Sequence, residues 1–137
     1  MFIDACPIAK EPFAHQLERW RKQRDKLFWA NFWEQGTGKS CKMMMDAAWL
    51  YSRGEIDAML VLAPNGVHRN WITDEVPTHW PAELGAPGVC WYRSKSAEAK
   101  YHQREVQACI DSPGFAVLAM SYDALDTEDK PPKLGVR

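Results

Sequence analysis

Trp33-Glu34-Gln35-Gly36-Thr37-Gly38-Lys39-Ser40 is the stretch on which the reading of this chain turns. An apolar run, Leu27 to Phe32, precedes it, and a helix-like segment, Cys41 to Tyr51, follows. Strand, glycine turn, Lys-Ser and helix together form a phosphate-binding pattern. In such a turn successive backbone N–H groups face one concavity, and the first turn of the helix adds the positive end of its dipole. Lys39 then reaches the outer phosphates and the Ser40 hydroxyl serves a Mg²⁺ ion. The expected ligand is a nucleoside triphosphate. The strict pattern has glycine six residues before the lysine. Trp33 stands there, so Gly36 and Gly38, with Thr37 between them, must make the turn.

Working outward, Glu11 to Asp25 reads as a helix with Pro12 in its first turn and Phe13, Leu17 and Trp20 on one stripe. Lys26 to Glu34 reads as a strand rich in Phe and Trp. Ser40 to Tyr51 reads as a helix stopped at Gly54. Asp57 to Ala63 is a continuous apolar strand closed by Pro64. Asn65 can cap a helix that carries Val67 and Trp71. A Pro/Gly-rich connection, 77–88, leads to a strand over Val89–Arg93. A helix runs from Ser96 to about Ile110 with Ala99, Val106, Cys109 and Ile110 inward, and Phe115–Met120 is a buried strand. Strands alternating with helices predict an α/β fold: a parallel sheet with helices on both faces. The tail, 126–137, is polar with a Pro pair and reads as unstructured.

Composition narrows the class. The chain has 137 residues, 46% of them hydrophobic and 26% charged, enough for one domain with a core. Its net charge of −1 means that any nucleic-acid contact comes from a local patch. No apolar run approaches a membrane span, and the N-terminus lacks a signal-peptide core. Cys6, Cys41, Cys90 and Cys109 are isolated from one another, with neither zinc spacing nor Cys-x-x-Cys, and read as reduced thiols of a cytoplasmic protein.

Pro12-Phe13-Ala14-His15-Gln16-Leu17-Glu18 resembles the Q motif of superfamily 2 helicases and Swi/Snf-type DNA translocases, a Phe-x-x-Gln segment on a helix ahead of the phosphate loop. The Gln16 amide has a donor and an acceptor to match the N6–H₂ and N7 of adenine; the plain alternative is a solvated helix glutamine. Leu60 to Trp71 resembles motif Ia of the same family. The resemblance implies that Asn65, Gly66, His68 and Arg69 meet a nucleic-acid backbone, as exposed N–H groups and a guanidinium suit phosphate. Trp71, at helical spacing from Val67, reads as core. Val117 to Leu125 resembles the strand and loop before the family's acidic box. Ser121 and Tyr122 there either touch a DNA strand or simply end a strand and cap a turn. The cations Arg19, Arg21, Lys22, Arg24 and Lys26 outnumber Glu18 and Asp25 and suit a DNA-facing patch or a solvated helix face.

The resemblance spans residues 12 to about 125. It implies an N-terminal helix with a Q-motif-like segment over 1–25, a partial RecA-like P-loop NTPase lobe over 26–125, and ATP and Mg²⁺ as cofactors. Lys39 is then the catalytic phosphate contact, Gln16, Gly36, Thr37, Gly38, Lys39 and Ser40 the nucleotide site, and DNA the partner. The family's Asp-Glu box and second lobe have no counterpart here. Asp123 follows the last apolar run without a Glu, and Asp126, Glu128 and Asp129 lie in the tail. The expectation is therefore the front part of a helicase-type motor, truncated before its acidic box. Its runners-up are a non-catalytic nucleotide- or DNA-binding module and a small-molecule kinase with a phosphate loop. The helix at 12–25 speaks against the kinase, whose loop ordinarily lies near the N-terminus.

Overall fold

The computed structural model describes residues 2–4 and 6–125. The tail at 126–137, with Asp126, Glu128 and Asp129, lies outside the described residues.

Three of the four predicted strands form, and they make the sheet. Strands β3 (Ala58–Ala63), β4 (Gly88–Trp91) and β5 (Ala116–Ser121) are parallel, in the order β3-β5-β4. Register is continuous along β3, with Ala58 opposite Ala116 and Ala63 opposite Ser121. Alternation along β5 sends Val117 and Ala119 to one face and Ala116 and Leu118 to the other. On the first face, Met44, Ala47 and Ala48 of helix α2 (Lys39–Ser52) pack with Val61, Ala63, Trp71, Val76, Trp80 and Phe115. On the second, Cys109 and Val106 of helix α5 (Lys100–Ile110) cover Cys90, Ala116 and Leu118. The protein is thus a mixed α/β fold, a three-stranded parallel sheet with helices on both faces. α5 does not extend over β3, which leaves Leu60 and Leu62 exposed.

Chain 67–79 is one helical run: α3 (Val67–Asn70), a wide π turn over Trp71–Glu75, and α4 (Val76–His79). The π turn has a physical cause in Pro77, which lacks an N–H and would clash with the carbonyl four residues back in a regular α-helix. Trp71 is core, as its spacing predicts. Helix α1 (Ala14–Gln23) starts later than predicted and leaves Phe13 exposed. Its Trp20 packs with Cys6, Ile8 and Met45 on the side of α2 away from the sheet. Cys6 belongs to a short antiparallel ladder, β1 (Phe2–Ile3) with β2 (Cys6–Pro7), which the sequence does not announce. Ile110, expected inward, is exposed.

The main correction concerns Lys26–Glu34. It forms no strand. Leu27, Phe28 and Phe32 are 92%, 91% and 93% exposed, and no described strand pairs with the segment. A strand needs a neighbour for its N–H and C=O groups, which apolar composition cannot supply. The segment is held instead against α2, where the Trp29 ring lies 3.1 Å from the Lys42 ammonium.

Candidate functional sites

α2 packs on the sheet and the turn at 53–57 reverses the chain into β3, so the helix begins near the carboxyl ends of the strands, the edge at which open parallel sheets bind ligands. The loop before it is built as the glycines predict. Gly36 and Gly38 both adopt left-handed backbone, at φ of 79° and 78°. The Thr37 hydroxyl donates to the Glu34 carbonyl at 2.7 Å. The Lys39 ammonium folds back onto the loop and donates to the carbonyls of Trp33 and Glu34, each at 2.8 Å. Ser40 follows in the first turn of α2, partly buried.

Gln16 is buried against this loop. Its Nε2 donates to the carbonyls of Thr37 at 3.3 Å and Gly38 at 3.2 Å, and its Oε1 accepts the Phe13 N–H at 2.8 Å, closing the first turn of α1. The His15 Nε2–H donates to the same Thr37 carbonyl at 3.1 Å, which fixes its tautomer. Both ends of the Gln16 amide are thus engaged on the protein, and its contact in this structure is a tether between α1 and the loop. A Cβ added at Gly38 would lie 2.0 Å from Gln16 Nε2. Gly38→Ala is therefore expected to break the tether as well as strain the left-handed backbone, at about 1–3 kcal/mol. Chemical denaturation checks it, and a loss under 0.5 kcal/mol would show that the tether carries no stability.

A second site is a cleft of about 340 Å³ at the carboxyl ends of β3, β4 and β5. The structure gathers four of the sequence-predicted contacts there: Asn65, Gly66, His68 and Ser121. The Asn65 amide donates to Asp123, tying the end of β3 to the turn after β5. His68 is buried and shares a hydrogen bond of 3.2 Å between its Nδ1 and the Pro64 carbonyl. Ser121 Oγ accepts the Asp123 N–H at 3.2 Å, so it caps the turn at Tyr122–Ala124. Arg69 lies with its guanidinium 5.1 Å from the Trp91 ring. Tyr122 is exposed and not part of the cleft wall.

The other wall of the cleft was not marked by any motif. Trp91, Tyr92 and Arg93 leave the end of β4, and Ser94–Ser96 turns beside them. His102 supports this wall from α5. Its Nε2 accepts the Arg93 N–H at 3.0 Å, so the neutral ring carries its proton on Nδ1, which donates to Glu105 at 3.1 Å. Glu105 also accepts from the Arg93 guanidinium. The His102 hydrogen bond, aided by Arg93, holds the Glu105 carboxyl below its usual range. In the sequence this group left only a His-x-x-Glu spacing, which falls in the first two turns of α5.

The basic helix face is largely spent internally. Arg21 pairs with Asp4, Lys22 with Glu18 at 2.6 Å, and the Arg24 guanidinium lies 4.8 Å from the Trp20 ring and 5.0 Å from that of Trp49. Among the described residues no helix is long and apolar enough to cross a membrane. Comparison with protein-family models, curated proteins and solved structures finds no match to this chain.

Proposed function

We propose that this chain binds ATP with Mg²⁺ at residues 36–40 and is the ATP-binding portion of a superfamily 2, Swi/Snf-like motor that meets DNA at the cleft beyond β3, β4 and β5. The observation that carries the reading is the Lys39 ammonium, held by two loop carbonyls at the start of α2 between the glycine turn and the helix dipole. It is a cation stationed where the loop N–H groups and the dipole already favour an anion. The donor set fits a triphosphate: two left-handed glycines let the backbone approach closely, Lys39 supplies the charge and Ser40 a hydroxyl for the ion. No cluster of three or more His, Cys, Asp or Glu among the described residues suits a metal, so Mg²⁺ would arrive with the phosphates. Bound Mg²⁺ would neutralise charge on the β- and γ-phosphates. Lys39 would orient the γ-phosphoryl group.

Calorimetry tests the reading. Lys39→Ala is expected to weaken ATP binding about 10- to 150-fold, the loss of a charge-assisted contact of about 1.5–3 kcal/mol. If the folded wild-type chain shows no ATP binding, the phosphate-loop reading fails. Gln16→Ala separates two roles. A loop tether weakens ATP and GTP alike, whereas an adenine contact erases the preference between them.

One observation favours a binding module without turnover as the second reading. Asp123, the first carboxylate after β5, is taken by Asn65. Hydrolysis needs a carboxylate or amide that orients the attacking water. DNA-stimulated phosphate release well above that of Lys39→Ala would exclude this second reading.

A further inference from the structure

The wall that β4 and the turn at 94–96 give to the cleft combines two kinds of surface. Arg93 and Lys95 bring positive charge, Trp91 and Tyr92 bring aromatic rings, and none of the lining residues is acidic. Contact with a phosphate backbone alone uses cations and N–H groups and has no need of aromatic surface. Charge for the backbone beside a ring for a base is the combination that grips single strands.

The wall is also built before any ligand arrives. The guanidiniums of Arg69 and Arg93 lie 5.1 and 5.5 Å from the centre of the Trp91 ring, and the His68 ring lies 5.9 Å away. Arg93 is itself fixed, its backbone N–H by His102 and its guanidinium by Glu105. Little side-chain freedom is left to lose on binding. The Trp91 Nε1 is buried without a hydrogen-bond partner, an orphan donor in the cleft wall. At about 340 Å³ the cleft falls at the small end of ligand pockets, which run from about 300 to 1,000 Å³. That is room for a planar base with its sugar.

The geometry points to a nucleobase site: the cleft takes one unstacked base of a single-stranded nucleic acid against Trp91, with the flanking phosphates on Arg93 and Lys95. The inference rests on the proposal that this cleft meets nucleic acid, and deepens it by naming the state of the strand. In a duplex the bases are paired and stacked, and none enters such a cleft without being flipped out.

The test uses the full chain and three fluorescein-labelled probes read by anisotropy: a 12-mer oligothymidylate, a 12-mer of abasic sites, and a 12-base-pair duplex. The wild type is expected to bind the oligothymidylate roughly 5- to 150-fold more tightly than the abasic strand, the range of one base–aromatic stack. Trp91→Leu should abolish the preference for oligothymidylate over the abasic strand, while Trp91→Phe keeps most of the difference. Equal wild-type affinity for the two strands, or tighter binding of the duplex, overturns the base site and leaves backbone contact standing. No binding of any probe by a chain that still binds ATP overturns the nucleic-acid half of the proposed function and the base site with it. The wild-type comparison decides even if Trp91→Leu does not fold.

Discussion

Asp46→Ala is expected to destabilise the fold by about 3–5 kcal/mol, the loss seen when one partner of a buried ion pair is removed. Lys42 is fully buried, and its ammonium has two neighbours, the Asp46 carboxylate at 2.7 Å and the Trp29 ring. Alanine at 46 leaves that charge without a counter-ion. The pair is nevertheless not a net gain at neutral pH. Burial outweighs the pairing and pushes the Asp46 carboxyl up to about 6, and it pushes the Lys42 ammonium down. A carboxyl whose folded pKa exceeds its unfolded value binds a proton on folding. Its stabilisation is complete below about pH 4 and is lost as pH rises through about 6, a change on the order of 3 kcal/mol. His79 opposes this. Burial lowers its pKa, so its contribution is present above about 6.5 and lost as pH falls. Thermal melts at pH 5 and 7.5, in wild type and Asp46→Asn, separate the two: the variant should lose the part favouring acid. Lys42→Met with Asp46→Leu should match or exceed the wild type. A double variant as unstable as Asp46→Ala would show that the pair itself, and not its disruption, holds the fold.

Phe115→Ala is expected to cost about 3–5 kcal/mol. Phe115 is fully buried at the start of the central strand, stacked on Trp80 at 4.6 Å and 5°, with Tyr51 at 5.1 Å. The cavity would open in the cluster between α2, α4 and the sheet. A double-mutant cycle with Trp80→Ala should show coupling of about 0.5–1.5 kcal/mol for the ring pair. Urea unfolding reads both. A single-variant loss under 1.5 kcal/mol would mean that the core collapses around the gap.

β3, β5, α2 and α5 were legible because each is an apolar run or stripe whose partners lie within the described chain. The stretch at 26–34 carries the same apolar signal and forms no strand. Composition reports which residues gain from burial, but says nothing about whether a neighbouring backbone exists to accept them. The loop glycines were legible for the same local reason, since left-handed turns are nearly glycine's alone. Gln16 was legible as an amide of consequence on the helix ahead of the loop, but its burial and its partners were not, because a carbonyl of the loop and an edge of adenine ask the same of it. The Arg93–His102–Glu105 group was hidden. Its members are separated along the chain, and only the packing of α5 on β4 makes them neighbours.

Lys39 does not wait in solvent. Its ammonium already donates to two carbonyls, those of Trp33 and Glu34, which leaves one N–H for an anion before any exchange is needed. An anion that takes more than that one N–H gains only a difference between two sets of partners, and the Glu34 carbonyl it displaces keeps the Thr37 hydroxyl. Trp33 and Glu34 end the stretch at 26–34, which no described strand holds. The lysine therefore pins the end of that stretch to the start of α2, as the Trp29 ring against Lys42 pins its middle.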